Sequence, residues 1–181
     1  GEGGDGRLPP ARSWVVGNHD QGRLSPLFRR RRGQVRAALT EEEGELLKGI
    51  VREYLELLKA DREPGDPVMA RLFPSASIDD PTLEADFREL AGDDLLSHKR
   101  QTAGRVLKYL DTGDRRPLTE EEQEAWLVLL TDLRLAMGVR LGVTDETFDS
   151  FPNPSDPAQW PLAVLHYLGS LQESLVTALD A

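Results

Sequence analysis

Apolar positions recur at helical spacing most clearly over residues 119–143. Trp126, Leu130, Leu133, Met137 and Leu141 form one stripe, and Val128, Leu135 and Val139 form a second. Two apolar sides predict a helix packed by neighbours on more than one side. Thr119 with Glu122 three residues later reads as a capping box, and Gly142 after Arg140 as the stop. Residues 40–60 repeat the plan. Thr40 and Glu43 make a second capping box; Leu46, Ile50, Tyr54 and Leu57 make a stripe that Leu47, Val51, Leu55 and Leu58 widen. Gly44 and Gly49 inside this helix each cost up to about 1 kcal/mol relative to Ala, so packing must hold it. Residues 68–73 predict a short helical turn closed by Pro74. Asp80 and Pro81 open the next helix as N-cap and first residue. Leu83, Phe87 and Leu90 share a face there. Gly92 is expected to bend or break that helix and Asp93 to recap it. Leu96, Ala103, Leu107 and Leu110 then face inward. Residues 161–179 form the last helix, with Leu165, Leu168, Leu171, Leu175 and Leu179 on one side.

Only residues 27–39 show a period of two. Val35, Ala37 and Leu39 alternate with Gln34, Arg36 and Ala38, and Gly33 is placed to turn a hairpin pairing residues 27–30 with 35–38. A lone hairpin is marginal, so it must lie against the helices. Residues 1–26 are rich in Gly and Pro and read as a flexible extension, with Trp14, Val15 and Val16 its apolar cluster. Residues 144–157 form a Pro-rich loop near the length limit for an unstructured connection. It is either functional or held down by Phe148 and Phe151. The expected fold is mainly α: one domain over residues 27–181, a helical bundle of about five helices with a short N-terminal β-hairpin.

Charge divides this picture. The 181 residues carry a formal net charge of −10. Residues 1–39 hold eight arginines against Glu2, Asp5 and Asp20, leaving 14 basic and 29 acidic residues in the remainder. This is a basic arm on an acidic body. Either the arm folds back onto its own body, or it is a solvated strand pair, or Arg29, Arg30, Arg31 and Arg32 contact phosphates. Arg36, and Arg105 and Lys108 on an outward helix face, join them as candidate nucleic-acid or partner contacts. The protein as a whole is a poor nucleic-acid binder on charge alone.

There is no cysteine, which removes disulfides, thiol catalysis and sulfur-ligated zinc from this chain. The longest apolar run, residues 125–130, is far short of a membrane span, and residues 1–20 lack the apolar core of a signal peptide. A cytoplasmic protein is expected. His19, His98 and His166 lie far apart, and Asp94 with His98 makes no metal site by itself. No phosphate-binding glycine loop and no Gly-x-Ser-x-Gly elbow occurs. The expectation is no enzyme activity, no metal and no cofactor. A carboxylate enzyme would instead require a cleft with paired acids. The unusual charges lie in apolar helices: Asp132, Arg134 and Arg140 in the central helix and Glu173 in the last. Buried charges need partners. Glu173 is therefore expected to pair with Arg134 or Arg140 as a structural ion pair, unless Arg140 snorkels to solvent at its helix end.

Several stretches together carry a family resemblance: Phe28–Arg30, DPVMARLFP at residues 66–74, FRELAGDDL at 87–95, EAWLVLLTDLRLAMGVRLGV at 124–143 and LQESLV at 171–176. Over about residues 27–180 the chain resembles an actinobacterial family catalogued as a domain of unknown function, whose members are named for the oxidation-sensing stress regulator AosR. The resemblance implies a cytoplasmic transcriptional regulator that contacts a stress sigma factor or RNA polymerase, with no enzyme activity and no cofactor. A redox sensor of that type needs a cysteine pair. This chain has none, so the thiol switch does not carry over. The resemblance implies a protein-binding scaffold, which is analogy at the level of fold.

Overall fold

The computed structural model describes residues 27–59, 65–74, 81–113, 115–144, 147, 150–153 and 155–181. Residues 1–26, with Trp14, Val15 and Val16, lie outside this set, as do Phe148 and the side chains of Leu83, Phe87 and Leu90.

The hairpin pairs β1 (Phe28–Arg31) with β2 (Gln34–Ala37) in antiparallel register: Phe28 opposite Ala37, Arg29 opposite Arg36, Arg30 opposite Val35 and Arg31 opposite Gln34. Arg32 and Gly33 make the two-residue turn, both with positive φ, 54° and 77°. That is the turn whose twist matches two right-twisted strands. Gly33 takes it freely, whereas Arg32 adopts it at a cost of roughly 1 kcal/mol. The period of two then buries Phe28, Val35 and Ala37 on one face. Each strand edge carries a hydrogen bond to the helical part of the fold or its linker. The Phe28 N–H donates to Ser174 Oγ (2.9 Å) in the last helix, and the Leu118 N–H donates to the Val35 carbonyl (2.8 Å).

Five helices follow among the described residues: α1 (Glu41–Leu57), α2 (Pro67–Leu72), α3 (Pro81–Thr112), α4 (Glu120–Leu141) and α5 (Trp160–Asp180). Both expected capping boxes form. Thr40 caps the Glu43 N–H and Thr119 caps the Glu122 N–H, each answered by the glutamate side chain. Asp66 caps α2 through the Val68 N–H at 2.8 Å. Gly142 ends α4 in the left-handed conformation, φ 60°. One expectation fails at Gly92, where α3 runs unbroken from Pro81 to Thr112. A helical glycine costs about 1 kcal/mol, less than the burial of Ala103, Val106, Tyr109 and Leu110 on the same helix supplies.

Helix α4 is central and packs against α5, α3 and α2. Its buried line is Ala125, Trp126, Leu129, Leu130, Leu133 and Ala136, while Val128, Leu135 and Val139 are half-buried. Trp126, 1% exposed, joins the layers. Phe28 of the hairpin meets its ring edge-on at 5.3 Å and Tyr109 of α3 at 6.3 Å. Helix α5 buries Leu165, Leu168, Leu171, Leu175 and Ala178, and β1 lies against it. Phe151 does not hold the loop after α4. It is 92% exposed, with its ring 6.3 Å from that of His166. Polar turns shape the described part of the loop: the Thr144 N–H donates to Thr147 Oγ1 (2.7 Å) and the Asn153 N–H to Gln159 Oε1 (2.7 Å).

Candidate functional site

The hairpin sorts its arginines by parity. Arg29, Arg31, Gln34 and Arg36 occupy the face opposite Phe28, Val35 and Ala37. Arg30 shares the inner parity but is exposed. Its Nη1 donates to the Leu179 carbonyl (2.9 Å), a cation on the last turn of α5. Arg36 donates to the Arg115 carbonyl (3.1 Å) and to Gln34 Oε1 (3.2 Å). Arg29, Arg31, Arg32 and Arg115 are exposed. Of the outward face of α3, Arg105 pairs with Glu121 at 3.2 Å, both exposed, and Lys108 is exposed. Arg36 and Arg105 thus attach to opposite ends of one segment, residues 115–121, which links α3 to α4. The basic residues serve two ends: Arg30 and Arg36 tie the hairpin down, while Arg31 and Arg32 present charge to solvent.

The interior holds a different charged group. Lys99 of α3 donates to both carboxylate oxygens of Asp132 in α4, at 2.9 and 2.8 Å, and the Tyr54 hydroxyl of α1 donates to Asp132 Oδ2 at 2.8 Å. The two charged side chains are 9% and 11% exposed. Lys99 also lies 5.9 Å from the Phe73 ring centroid. Burial, reinforced by the Asp132 charge, holds the Tyr54 hydroxyl neutral far above its ordinary range. The acid accepts three hydrogen bonds and the lysine spends its charge on it. This is a closed arrangement that ties three helices and leaves no acid or base presented to solvent.

The expected pair of Glu173 with Arg134 or Arg140 does not form. Glu173 and Arg140 are exposed, and Arg134 Nη1 donates to Gln172 Oε1 at 2.7 Å. Gln172 in turn donates to Thr131 Oγ1 at 2.8 Å. The seam between α4 and α5 passes through Gln172 and Gly169, over which the Arg134 guanidinium lies. One residue on, a helix turns by about 100°, and that rotation takes Glu173 out to water. Arg140 reaches solvent at its helix end, the alternative reading.

At the start of α4, Arg116 grips Glu122 with two hydrogen bonds of 2.8 and 2.5 Å, and its guanidinium lies 5.0 Å from the Tyr109 ring centroid. Bonding from Arg116 holds the Glu122 carboxyl below the usual carboxylate range. Among the described residues no cluster of three or more His, Asp or Glu is placed to hold a metal ion, and no helix is long and apolar enough to cross a membrane.

Known proteins can be set against this geometry. The Oxidative stress regulator AosR of Mycobacterium tuberculosis (strain ATCC 25618 / H37Rv) is 33% identical over 132 residues, which is 65% of this chain and 60% of that protein. The protein of the same name from Mycobacterium bovis gives the same figures. The Putative oxidative stress regulator AosR of Mycobacterium leprae is 32% identical over 134 residues, 66% of this chain and 61% of that protein. The chain thus spans about three-fifths of the length of these relatives. No solved structure matches the chain. The family described as Domain of unknown function (DUF2017) matches residues 24–179, from just before the hairpin to the penultimate residue of α5. The hairpin, the first four helices and all but the last residue of α5 fall inside that match, and the chain belongs to the DUF2017 family.

Proposed function

We propose that this chain is a non-enzymatic cytoplasmic regulator that acts by contact with a protein of the transcription machinery, a stress sigma factor or RNA polymerase. The observation that carries this reading is the alignment with proteins named as oxidative stress regulators at about a third identity. The regulator has no thiol switch in this chain, because a redox-sensing disulfide needs two cysteines and there are none. The closed interior supports the role of a rigid scaffold, since the charged groups buried in the helical core are spent on one another.

The test is co-elution of the purified protein with RNA polymerase and a panel of sigma factors, with and without reductant. Retention of one sigma factor, unchanged by reductant, is the expected result. Retention of none overturns the assignment to the transcription machinery. A second reading, nucleic-acid binding through the hairpin, draws on the exposed Arg31 and Arg32. It predicts DNA binding that falls steeply with salt. Substitution rather than deletion must test it, because removing residues 27–39 takes Phe28 and Val35 out of the core.

A further inference from the structure

The exposed large hydrophobic side chains among the described residues are Leu141, Phe151 and Val176. All three border the outer side of the seam between α4 and α5. Thr131 meets Gln172 and Arg134 meets Gly169, so the two helices run antiparallel. Leu141 lies two turns beyond Arg134, toward the start of α5, where the Phe151 ring sits beside His166. Val176 lies two turns the other way from Gly169. Along α5, Leu162, His166, Gly169, Glu173 and Val176 recur at alternating steps of four and three, which is one side of a helix. Two opposite charges belong to this side. Glu173 is exposed and makes no ion pair among the described residues. The half-buried Arg134 guanidinium lies over Gly169. Its Nη1 bonds the neutral amide of Gln172, its buried Nε has no acceptor, and no acid among the described residues balances its charge.

We propose that this side of α5 is the interface of a homodimer, with a second copy of the chain packed antiparallel across a two-fold axis at the level of Leu171. In a two-fold interface each contact occurs twice, with the two copies exchanging roles. Val176 lies three residues after Glu173, and His166 lies three residues before Gly169. The axis that sets Glu173 against the second copy's Gly169 therefore also sets Val176 against the second copy's His166. The first match brings the carboxylate to the Arg134 guanidinium that lies over Gly169. The second brings Val176 to the exposed Phe151 ring. Charge and apolar surface are thus complementary in one register, and each copy supplies both halves. That self-complementarity favours a second copy over a different protein as the occupant. Covering Arg134 with an acid also balances a charge that the single chain leaves unmatched in a half-buried place. One helix side and a loop make a small interface, so the dimer comes apart on dilution through the micromolar range.

The experiment is sedimentation velocity on the full chain from about 1 to about 200 μM in roughly 0.15 M salt, which screens the repulsion between two copies of net charge −10. The mass is expected to rise with concentration from 20.1 kDa toward twice that value. Glu173→Arg sets like charges together at both symmetric contacts and is expected to weaken the dimer about tenfold or more. Its melting temperature at the lowest concentration should equal that of the parent, since the position is exposed. Crosslinking tests the register without disturbing Arg134. The chain has no cysteine of its own. The double variant Phe151→Cys/Val176→Cys is expected to give a disulfide-linked dimer on mild oxidation, and each single variant is not. His166 and Val176 are ten residues apart, about 15 Å along α5. That is too far for a disulfide within one chain, or between either cysteine and its own counterpart across the axis. A chain that keeps the mass of one copy at every concentration overturns the proposal. So does a dimer that Glu173→Arg leaves intact, or a double cysteine variant that links no faster than the single ones.

Discussion

A single carboxylate, Asp132, holds three helices in register through Lys99 and Tyr54. Asp132→Ala strands the Lys99 charge in the core and should cost about 3–5 kcal/mol in urea unfolding. Glu173→Ala, at an exposed position, should stay within about 0.5 kcal/mol. The paired replacement Lys99→Met/Asp132→Leu should recover most of the loss, because it removes both charges together. Tyr54 adds a pH limit. Its folded pKa lies above the unfolded value of about 10, so its contribution is complete below that pH and is lost as pH rises beyond it. Tyr54→Phe should flatten the alkaline limb of a melting-temperature profile. Glu122 acts at the other end. Its folded pKa is depressed, so its contribution is present above about pH 4.3 and falls away below. Glu122→Gln should flatten the acid limb. The sequence marks Asp132 as a charge in an apolar helix but does not name its partner. Lys99 lies on the inward line of α3 with Leu96 and Ala103, and that spacing was the available signal. Which helix a charge meets depends on crossing and rotation, which no single-helix pattern contains.

The elements themselves were largely written in local chemistry. Thr40 with Glu43, Thr119 with Glu122 and Gly142 mark helix ends that need only neighbouring residues to form, so they read correctly. Thr119→Ala should cost about 1 kcal/mol by thermal denaturation. Gly92 misled because a propensity describes an isolated helix, whereas α3 is held along one side by its packing. In the loop after α4, Phe151 suggested an apolar anchor but is exposed, and threonine and glutamine hydrogen bonds shape the turns there. The hairpin turn carries an improvable position. Arg32 takes a left-handed backbone that asparagine adopts more readily. Arg32→Asn should stabilise the protein by about 0.5–1 kcal/mol, seen as a higher denaturant midpoint with an unchanged slope.

At the scale of the whole molecule, one apolar cluster runs from Phe28 through Trp126 to Ala178. Hairpin and helices share it, so they should unfold together. In a Trp14→Phe/Trp160→Phe background, Trp126 fluorescence and far-ultraviolet circular dichroism should give coincident transitions, and a hairpin that melts early would separate them. The closure of β1 by Ser174 has a consequence for how the chain is made. Phe28 and Ser174 are 146 residues apart. At a ribosomal rate of about 5–20 residues per second, that interval lasts roughly 7–30 s. The hairpin therefore emerges well before the helix that seats it. Until α5 is synthesised, Phe28 has no cover from that side and the outer backbone of β1 is open to any passing strand. A message cut short before α5 would yield a product with a sticky strand edge at the hairpin, one that chaperones and proteases recognise. Synthesis of α5 is thereby the event that closes the hairpin's edge.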